Sequence, residues 1–311
     1  MPEICTRSRS LSEAGRTLFG ASRDRKTTTN ARSSGLTCFH THWRGYAANL
    51  DTLEDHMLDP FLQWTLLTAA AWLAGAVNSI AGGGTLFTFS SLMLVLGPIA
   101  ANATSTTALL PGSLAASWGY RRELRECRAH LWRLGPPSLI GGVIGSLLLA
   151  RLPERVFSNL VPWLLFGATA LLLVQPWVSR RLGAVPHEEP TPGIMAAIIF
   201  FQLLVGIYGG YFGAGIGILM LSSLSFVGIP NIHQMNAVKS VLAAMMNATT
   251  VVVFVLAGVI VWKYALVMAV AATIGGYLGA RIARRLKVSV VRAIVVAVGF
   301  GLAAYSYYSR H

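Results

Sequence analysis

Long apolar stretches without charge alternate with short polar connections along most of the chain. Ten such segments lie at roughly 61–81, 85–101, 103–120, 134–150, 156–178, 193–213, 216–230, 240–262, 264–280 and 293–308. A transmembrane helix needs about 20 mostly apolar residues, so most of these segments are long enough to cross a bilayer. The second and seventh are short, and we expect partial crossings or re-entrant arms there. The pattern predicts an all-α polytopic membrane protein with eight to ten membrane segments.

Two glycine-rich breaks interrupt the apolar pattern. The first contains Gly82, Gly83 and Gly84, and the second contains Gly213 and Gly215. Glycine is a weak helix former, so we expect the backbone to unwind at both places. Lipid cannot satisfy unwound peptide groups, and such breaks are stable only when they are buried in protein or line a wet cavity. The breaks therefore predict discontinuous helices and a candidate transport site; glycines that only permit close helix packing are the alternative.

Composition agrees with a membrane location. Hydrophobic residues make up 54% of the 311 and charged residues only 12%, with a mean hydropathy of +0.58. The formal charge is +13, and the cations of the apolar part lie in short loops such as 121–133 and 281–292. We interpret these loops as cytoplasmic and expect no nucleic-acid partner.

Residues 1–56 differ from the rest because they are rich in Ser, Thr and Arg and lack apolar periodicity. We expect a disordered tail or an extension upstream of a start site at Met57, with an organellar targeting peptide as the alternative. The chain then divides into a first membrane repeat at 57–178, a cytoplasmic linker at 179–192 and a second membrane repeat at 193–311.

The two halves align with each other. At an offset of 131 residues Gly75 meets Gly206, and after a three-residue shift Asn102 meets Asn236. Further matches in order, with a single gap, indicate an internal repeat of about five apolar segments per half.

The basic loops indicate how the repeats are oriented. The loop 121–133 carries five arginines, whereas the equivalent stretch 255–267 has only Lys263. Conversely, 281–292 carries five cations and its equivalent 147–158 only two. The positive-inside rule then predicts two inverted-topology repeats, related by an axis in the membrane plane.

Polar residues at and after the breaks are candidate substrate-binding residues. The short segments begin directly after the glycines, and free N–H groups at a helix amino end attract anions. Asn, Thr and Ser side chains can donate to an oxyanion, although capping of segments three and eight at the surface is the alternative. The candidate set is Gly82, Gly83, Gly84, Thr85, Asn102, Thr104, Ser105, Thr106, Gly213, Gly215, Asn236, Lys239 and Ser240.

Lys239 is the one charged side chain with long uncharged tracts on both sides. A lysine at the centre of a span costs around 2.5–3.5 kcal/mol on insertion scales, so it usually has a partner. After Asp59 the carboxylates are Glu123, Glu126, Glu154, Glu188 and Glu189, all in predicted loops. An anionic substrate would supply the missing partner, whereas snorkelling to the headgroups is the alternative. The shortage of acids also argues against a cation carrier.

Other chemistry finds little support in the sequence. Enzyme signatures such as His-Glu-x-x-His, a phosphate loop or a Gly-x-Ser-x-Gly elbow are missing, so we expect no catalytic residues. Cys5, Cys38 and Cys127 are too scattered for a metal site, and we expect no metal and no cofactor. Asn78 and Asn247 are isolated amides, for which helix-to-helix hydrogen bonding is at least as good an interpretation as ligand contact.

The motif Asn78-Ser-Ile-Ala-Gly82-Gly83-Gly84-Thr85, its weaker echo at 209–217 and the Asn-Ala-Thr-Ser-Thr segment at 102–106 together resemble the sulfite exporter TauE/SafE family of membrane permeases. The resemblance spans about 61–308, and Ala214 departs from it by replacing the middle glycine of the second break. It implies a secondary transporter that exports small sulfur-containing anions, such as sulfite or sulfonates, across the bacterial cytoplasmic membrane without hydrolysing ATP. The expected partners are this anion and the lipid bilayer. A passive anion channel and a membrane assembly or scaffold protein without transport are the alternatives.

Overall fold

The computed structural model describes residues 59–80, 82–182, 191–227, 229 and 231–282, together with 293, 296, 297, 300 and 301. Ten helices are defined in these ranges, with no strand: α1 (Pro60–Ile80), α2 (Thr85–Leu92), α3 (Pro98–Gly119), α4 (Arg121–Leu124), α5 (Arg128–Arg151), α6 (Glu154–Leu182), α7 (Pro192–Tyr211), α8 (Ile216–Ser225), α9 (Ile232–Ala257) and α10 (Trp262–Ile282). The predicted tail at 1–56, most of the linker and most of the last predicted segment lie outside the described residues.

Five of the described helices, α1, α5, α7, α9 and α10, are long and apolar enough to cross a membrane. Helix α3 is as long, with 22 residues, but it is more polar. Its Asn102, Thr104 and Ser105 side chains are buried inside the protein, where they avoid lipid. The all-α polytopic fold predicted from the sequence is therefore confirmed.

Both glycine-rich breaks separate a long helix from a short one, as predicted. Helix α2 has 8 residues and α8 has 10, which corresponds to about 12 and 15 Å of a hydrocarbon core about 30 Å thick. The repeat-equivalent Gly82 and Gly213 both have a φ of 79°. The second left-handed residue is Gly83 in one break and Gly215 in the other, because Ala214 carries a Cβ that disfavours positive φ.

The polar clusters of segments three and eight lie inside helices, so the interpretation of these residues as helix caps is wrong. Helix α3 begins at Pro98 after the cap residue Gly97, before Asn102. Helix α9 begins at Ile232, and its cap is Asn231, whose Oδ1 accepts a hydrogen bond from the His233 N–H at 2.9 Å. The apolar pattern misplaced both starts because a helix tolerates polar residues on a face that is buried against protein.

Small residues let the third long helix of each half pack against the first two long helices of the other half. Helix α10 packs on α1 and α3, and α5 packs on α7 and α9. A Cβ on Gly112 of α3 would lie 2.7 Å from the Ala272 carbonyl oxygen, and one on Gly142 of α5 would lie 2.8 Å from the Met246 carbonyl oxygen. These close backbone approaches are the packing mode expected of small residues between membrane helices.

Contacts along the helices give their directions. Gly112 lies by Ala272 and Gly119 by Ala280, so α3 and α10 run the same way. The start of α3 meets the end of α9, because the Val261 N–H donates to Thr104 Oγ1 at 3.1 Å.

The end of α3 meets the start of α9, because Tyr120 and Ala237 belong to one apolar cluster. The repeat-equivalent helices α3 and α9 are therefore antiparallel, which supports the predicted inversion.

The two basic loops meet at one end of the molecule, which we name the basic end. Arg121 and Arg122 from the first half and Arg281 from the second line one pocket. Lys263 lies at the other end, with its Nζ 5.8 Å from the ring centroid of Trp64 near the start of α1. The positive-inside rule assigns the basic end to the cytoplasm.

This orientation predicts which positions a membrane-impermeant thiol reagent reaches. In a background with all three native cysteines replaced by serine, we expect Arg122→Cys and Arg281→Cys to label in everted vesicles only. Lys263→Cys should label in intact cells. Labelling of positions 122 and 281 from opposite sides would contradict the inverted arrangement.

The close packing predicts a large stability difference between two glycines. A Cβ on Gly145 of α5 would collide with the Ile207 carbonyl oxygen, whereas one on Gly167 of α6 would meet nothing within 4 Å. We expect Gly145→Ala to cost about 1–3 kcal/mol and to lower the melting temperature in detergent. Gly167→Ala should leave it unchanged or raise it, because alanine is the better helix former. Equal melting temperatures would show that the helices do not pack this closely.

Candidate functional site

A cavity of about 40 Å³ lies where the two breaks meet. A buried water needs about 10–15 Å³ by this measure, so the cavity has room for roughly three water molecules or one small anion. Its walls come from α1, α2, α3, α8 and α9 and from both breaks. The wall residues are Gly75, Asn78, Ser79, Gly82, Thr85, Thr106, Leu109, Gly112, Ser113, Ala116, Gly213, Ile216, Gly217, Lys239, Ser240, Ala243 and Asn247.

Repeat-equivalent residues from both halves line this cavity. Those at offsets of 131 and 134 form five pairs in the wall: Gly82 with Gly213, Thr85 with Ile216, Thr106 with Ser240, Leu109 with Ala243, and Ser113 with Asn247. The cavity therefore lies at the centre of the internal repeat, the place where transporters with inverted repeats bind their substrates.

The amino ends of the two short helices converge on the cavity. A Cβ on Gly82 would lie only 2.9 Å from the Gly217 Cα, and Thr85 Oγ1 lies 3.5 Å from the Gly213 carbonyl oxygen. First-turn N–H groups have no acceptor within their own helix. The amides of Thr85, Ile216 and Gly217 therefore give the wall a partial positive charge.

Lys239 is buried in this wall with only 2% of its surface exposed. Its Nζ donates to Asn236 Oδ1 at 2.9 Å, one turn earlier on α9. The described carboxylates are those of Asp59, Glu123, Glu126 and Glu154, and none of them lines the cavity. The alternative that Lys239 snorkels to the headgroups is wrong, because the side chain turns inward. Two ammonium N–H donors are left for a ligand.

Two amides and several hydroxyls complete the polar wall. Asn78 Oδ1 accepts a hydrogen bond from the Gly84 N–H at 2.8 Å, so the NH₂ group of Asn78 can donate to a different partner. Asn247 brings a second amide from α9. The Thr106 and Ser240 hydroxyls donate to carbonyl oxygens one turn back in their own helices, at 2.9 and 2.8 Å. The charged and amide donors, rather than the hydroxyls, are therefore the groups best placed to hold an anion.

Six of the thirteen candidate residues lie in the cavity wall and seven do not. The six are Gly82, Thr85, Thr106, Gly213, Lys239 and Ser240. Of the others, Gly83, Gly84 and Gly215 shape the breaks, and Asn236 holds the Lys239 amine.

The remaining three candidates connect helices instead of lining the cavity. Asn102 Nδ2 donates to the Tyr211 carbonyl oxygen at 3.1 Å, at the point where α7 ends. Thr104 accepts from the Val261 N–H, and Ser105 Oγ lies 2.6 Å from Thr88 Oγ1 of α2. These bonds satisfy backbone and hydroxyl groups that lipid could not satisfy.

Comparison with known proteins agrees with this architecture. The model of the sulfite exporter TauE/SafE family matches residues 67–306, which is most of the chain. The chain belongs to the TauE/SafE sulfite exporter family. A model of the RtcR C-terminal DNA-binding domain matches residues 2–34, outside the described residues. No solved structure matches the chain.

Several similar proteins carry the name probable membrane transporter protein. One from Haemophilus influenzae is 26% identical over 247 residues, covering 79% of this chain and 94% of its own. YfcA of Escherichia coli strain K12 is 29% identical over 263 residues, covering 82% and 93%. YunE of Bacillus subtilis strain 168 is 23% identical over 265 residues, covering 76% and 96%. These names support a transport role.

Eleven of the seventeen wall residues of this TauE/SafE protein were outside the candidate set, among them Gly75, Gly112 and Ser113. A signal for Ser113 was present, because Thr106 and Ser113 are seven residues apart, as are Ser240 and Asn247 at the equivalent positions. Residues seven apart share a helix face, so the repeat predicts two matching polar faces. For Asn78 and Asn247, the structure places both amides at the cavity.

Two equivalent positions differ across the cavity of this TauE/SafE protein. Its wall on α3 continues toward the basic end as far as Ala116 and includes Gly112. The equivalent of Gly112 at an offset of 134 is Met246, which is fully buried. The Met246 thioether packs against Gly209 so closely that any Cβ there would collide with it. Met246 does not line the cavity, so the two copies contribute differently to its wall.

Replacement of threonine by valine should have different consequences at two positions of α3. Thr104→Val leaves the partly buried Val261 N–H without its acceptor, which should cost about 1 kcal/mol of stability. Thr106→Val removes only a bond within the helix and an oxygen atom from the cavity wall. We expect it to keep the melting temperature and to change the affinity for substrate little, because the hydroxyl proton is already donated to the Asn102 carbonyl oxygen. An equal loss of melting temperature in both variants would argue against this division of roles.

Proposed function

We propose that this TauE/SafE family member is a secondary transporter that exports small sulfur-containing oxyanions, such as sulfite or sulfonates, across the cytoplasmic membrane. The family and the names of its relatives give the transport role, and the chemistry of the cavity supports an anion as cargo. The proposed binding residues are those that line the cavity, with Lys239 as the central one.

The observation that carries the proposal is the burial of Lys239 beside a cavity with no carboxylate in its described wall. Placing a lysine within a span costs about 2.5–3.5 kcal/mol on insertion scales, a cost normally offset by a partner. Asn236 offsets only part of it, because a neutral amide oxygen does not balance a full charge. A bound anion would complete the ion pair during each transport cycle.

The shape of the site favours a small oxyanion. The Lys239 amine and the Asn247 amide come from α9, the Asn78 amide comes from α1, and helix amino ends come from α2 and α8. Donors therefore approach from several directions, as the oxygens around one sulfur atom require. Leu109 and Ala243 provide an apolar patch in the same wall, which suits the short carbon tail of a sulfonate.

A carrier fits the structure better than an open channel. Toward the end opposite the basic end, Phe89, Phe157 and Phe212 are fully buried and lie edge to face, with Phe89 and Phe212 centroids 5.2 Å apart. This aromatic cluster lies beside Tyr211, which bonds Asn102 near the start of α3. A cavity closed by packed rings toward this end leaves no continuous pore, and such a closed state belongs to an alternating-access cycle.

Replacement of Lys239 separates a transport role from a structural one. We expect Lys239→Met to lower sulfite flux in everted vesicles at least tenfold, because the cavity loses its positive charge. The same variant should melt at an equal or higher temperature, because methionine fills the site without a buried charge.

The matched control is Lys263→Met, which removes an exposed lysine at the other end and should change neither flux nor stability. Undiminished flux through Lys239→Met would remove this residue from the mechanism. Saturation of the wild-type flux with rising sulfite would exclude a passive channel.

A further inference from the structure

A second positively charged pocket lies at the basic end, outside the cavity. It has a volume of about 280 Å³, and its walls are Gly119, Arg121, Arg122, Ala280 and Arg281. No carboxylate of the described residues lines it. Gly119 and Ala280 pack closely in its wall, because a Cβ on Gly119 would lie 2.8 Å from the Ala280 Cβ. We name it the arginine pocket.

Aromatic neighbours hold two of the guanidinium groups in place. Arg121 Nη1 donates to the Trp118 carbonyl oxygen at 3.3 Å, and its Cζ lies 5.5 Å from the centroid of that indole ring. Arg281 Cζ lies 4.7 Å from the ring centroid of Tyr277. Such contacts order an arginine without using most of its five N–H donors, and the planar fork of donors matches an oxyanion.

A thin apolar layer separates the arginine pocket from the cavity. It consists of Ile80, Ala116, Tyr120, Ala237 and Ala280, with Leu124 packed against it. Ala116 also lines the cavity and Ala280 also lines the arginine pocket. Tyr120 is the one large polar side chain in the layer, and its hydroxyl donates to the carbonyl oxygen of the wall residue Ser79 at 3.3 Å. The two sites are therefore neighbours along one path from the basic end.

We propose that the arginine pocket is a loading site, which binds the oxyanion at the basic end before the anion passes Tyr120 and reaches Lys239. This inference rests on the proposed function. The pocket concentrates anions from the aqueous side that an exporter must empty, and the apolar layer prevents continuous leakage between the two sites. Because the arginines are exposed to solvent, their attraction is screened by salt, unlike the buried charge of Lys239.

The test compares two double variants that remove equal charge from opposite ends. Arg122→Gln with Arg281→Gln removes two arginines from the loading site, and Arg151→Gln with Arg155→Gln removes two exposed arginines elsewhere. Uptake of radiolabelled sulfite into everted vesicles is measured at concentrations below saturation. At about 10 mM ionic strength we expect the first variant to be slower by roughly three- to tenfold, and the second to match the wild type. At about 300 mM the difference should nearly vanish, whereas the maximal rate is unchanged throughout.

Several outcomes would overturn the loading site. One is equal rates for the two double variants at low salt, and another is a fall in maximal rate that salt does not alter. A third outcome would show that the arginine pocket binds the phosphate of a lipid headgroup instead of the transported oxyanion. Short-chain phosphatidylglycerol, added to purified protein in detergent, would then raise the melting temperature of the wild type but not of the first variant, while transport stays equal. If the wild type itself moves neither sulfite nor methanesulfonate, the proposed function fails instead, independently of the variants.

Discussion

Peptide groups inside a bilayer must find their partners within the protein, and this constraint shapes the centre of the molecule. Where α1 and α7 end, the freed backbone groups are taken up by side chains at fixed places. Asn78 accepts from the Gly84 N–H, the Tyr208 hydroxyl donates to the Ala214 carbonyl oxygen at 2.9 Å, and Asn102 donates to the Tyr211 carbonyl oxygen. At the amino ends of α2 and α8, Thr85, Ile216 and Gly217 line a cavity instead of facing lipid.

Duplication explains why these groups converge, and divergence between the copies explains why the site is asymmetric. Five equivalent pairs surround the cavity, so the repeat supplies its walls. At the pair Gly112 and Met246, Gly112 lines the cavity, whereas Met246 packs against Gly209 and does not line it. A similar difference separates Ser105 from Lys239, which are equivalent at the offset of 134, and gives the site its single positive charge. These differences make the wall of the site asymmetric although its elements are repeated.

Much of this architecture can be predicted from local patterns in the sequence. The breaks at Gly82 and Gly213 are predictable because a glycine cluster in an apolar stretch weakens a helix wherever it occurs. The alignment of the halves pairs Thr106 with Ser240 without any knowledge of structure. The starts of α3 and α9 were not predictable from hydropathy. Polar residues that are buried on one face of a helix lower the local hydropathy, and the predicted apolar segment then ends there. The helix-connecting roles of Asn102 and Thr104 depend on Tyr211 and Val261, more than a hundred residues away, and no local pattern reports such contacts.

The central claim is that the two helix interruptions enclose an anion-binding cavity beside Lys239. A crystal of the protein soaked in selenate, an oxyanion with a strong anomalous signal, tests it most directly. We predict an anomalous peak within hydrogen-bond distance of Lys239 Nζ, between the breaks at Gly82 and Gly213. Continuous helices through both glycine clusters, or a well-ordered cavity that stays without a peak while selenate occupies other positive sites, would contradict the account.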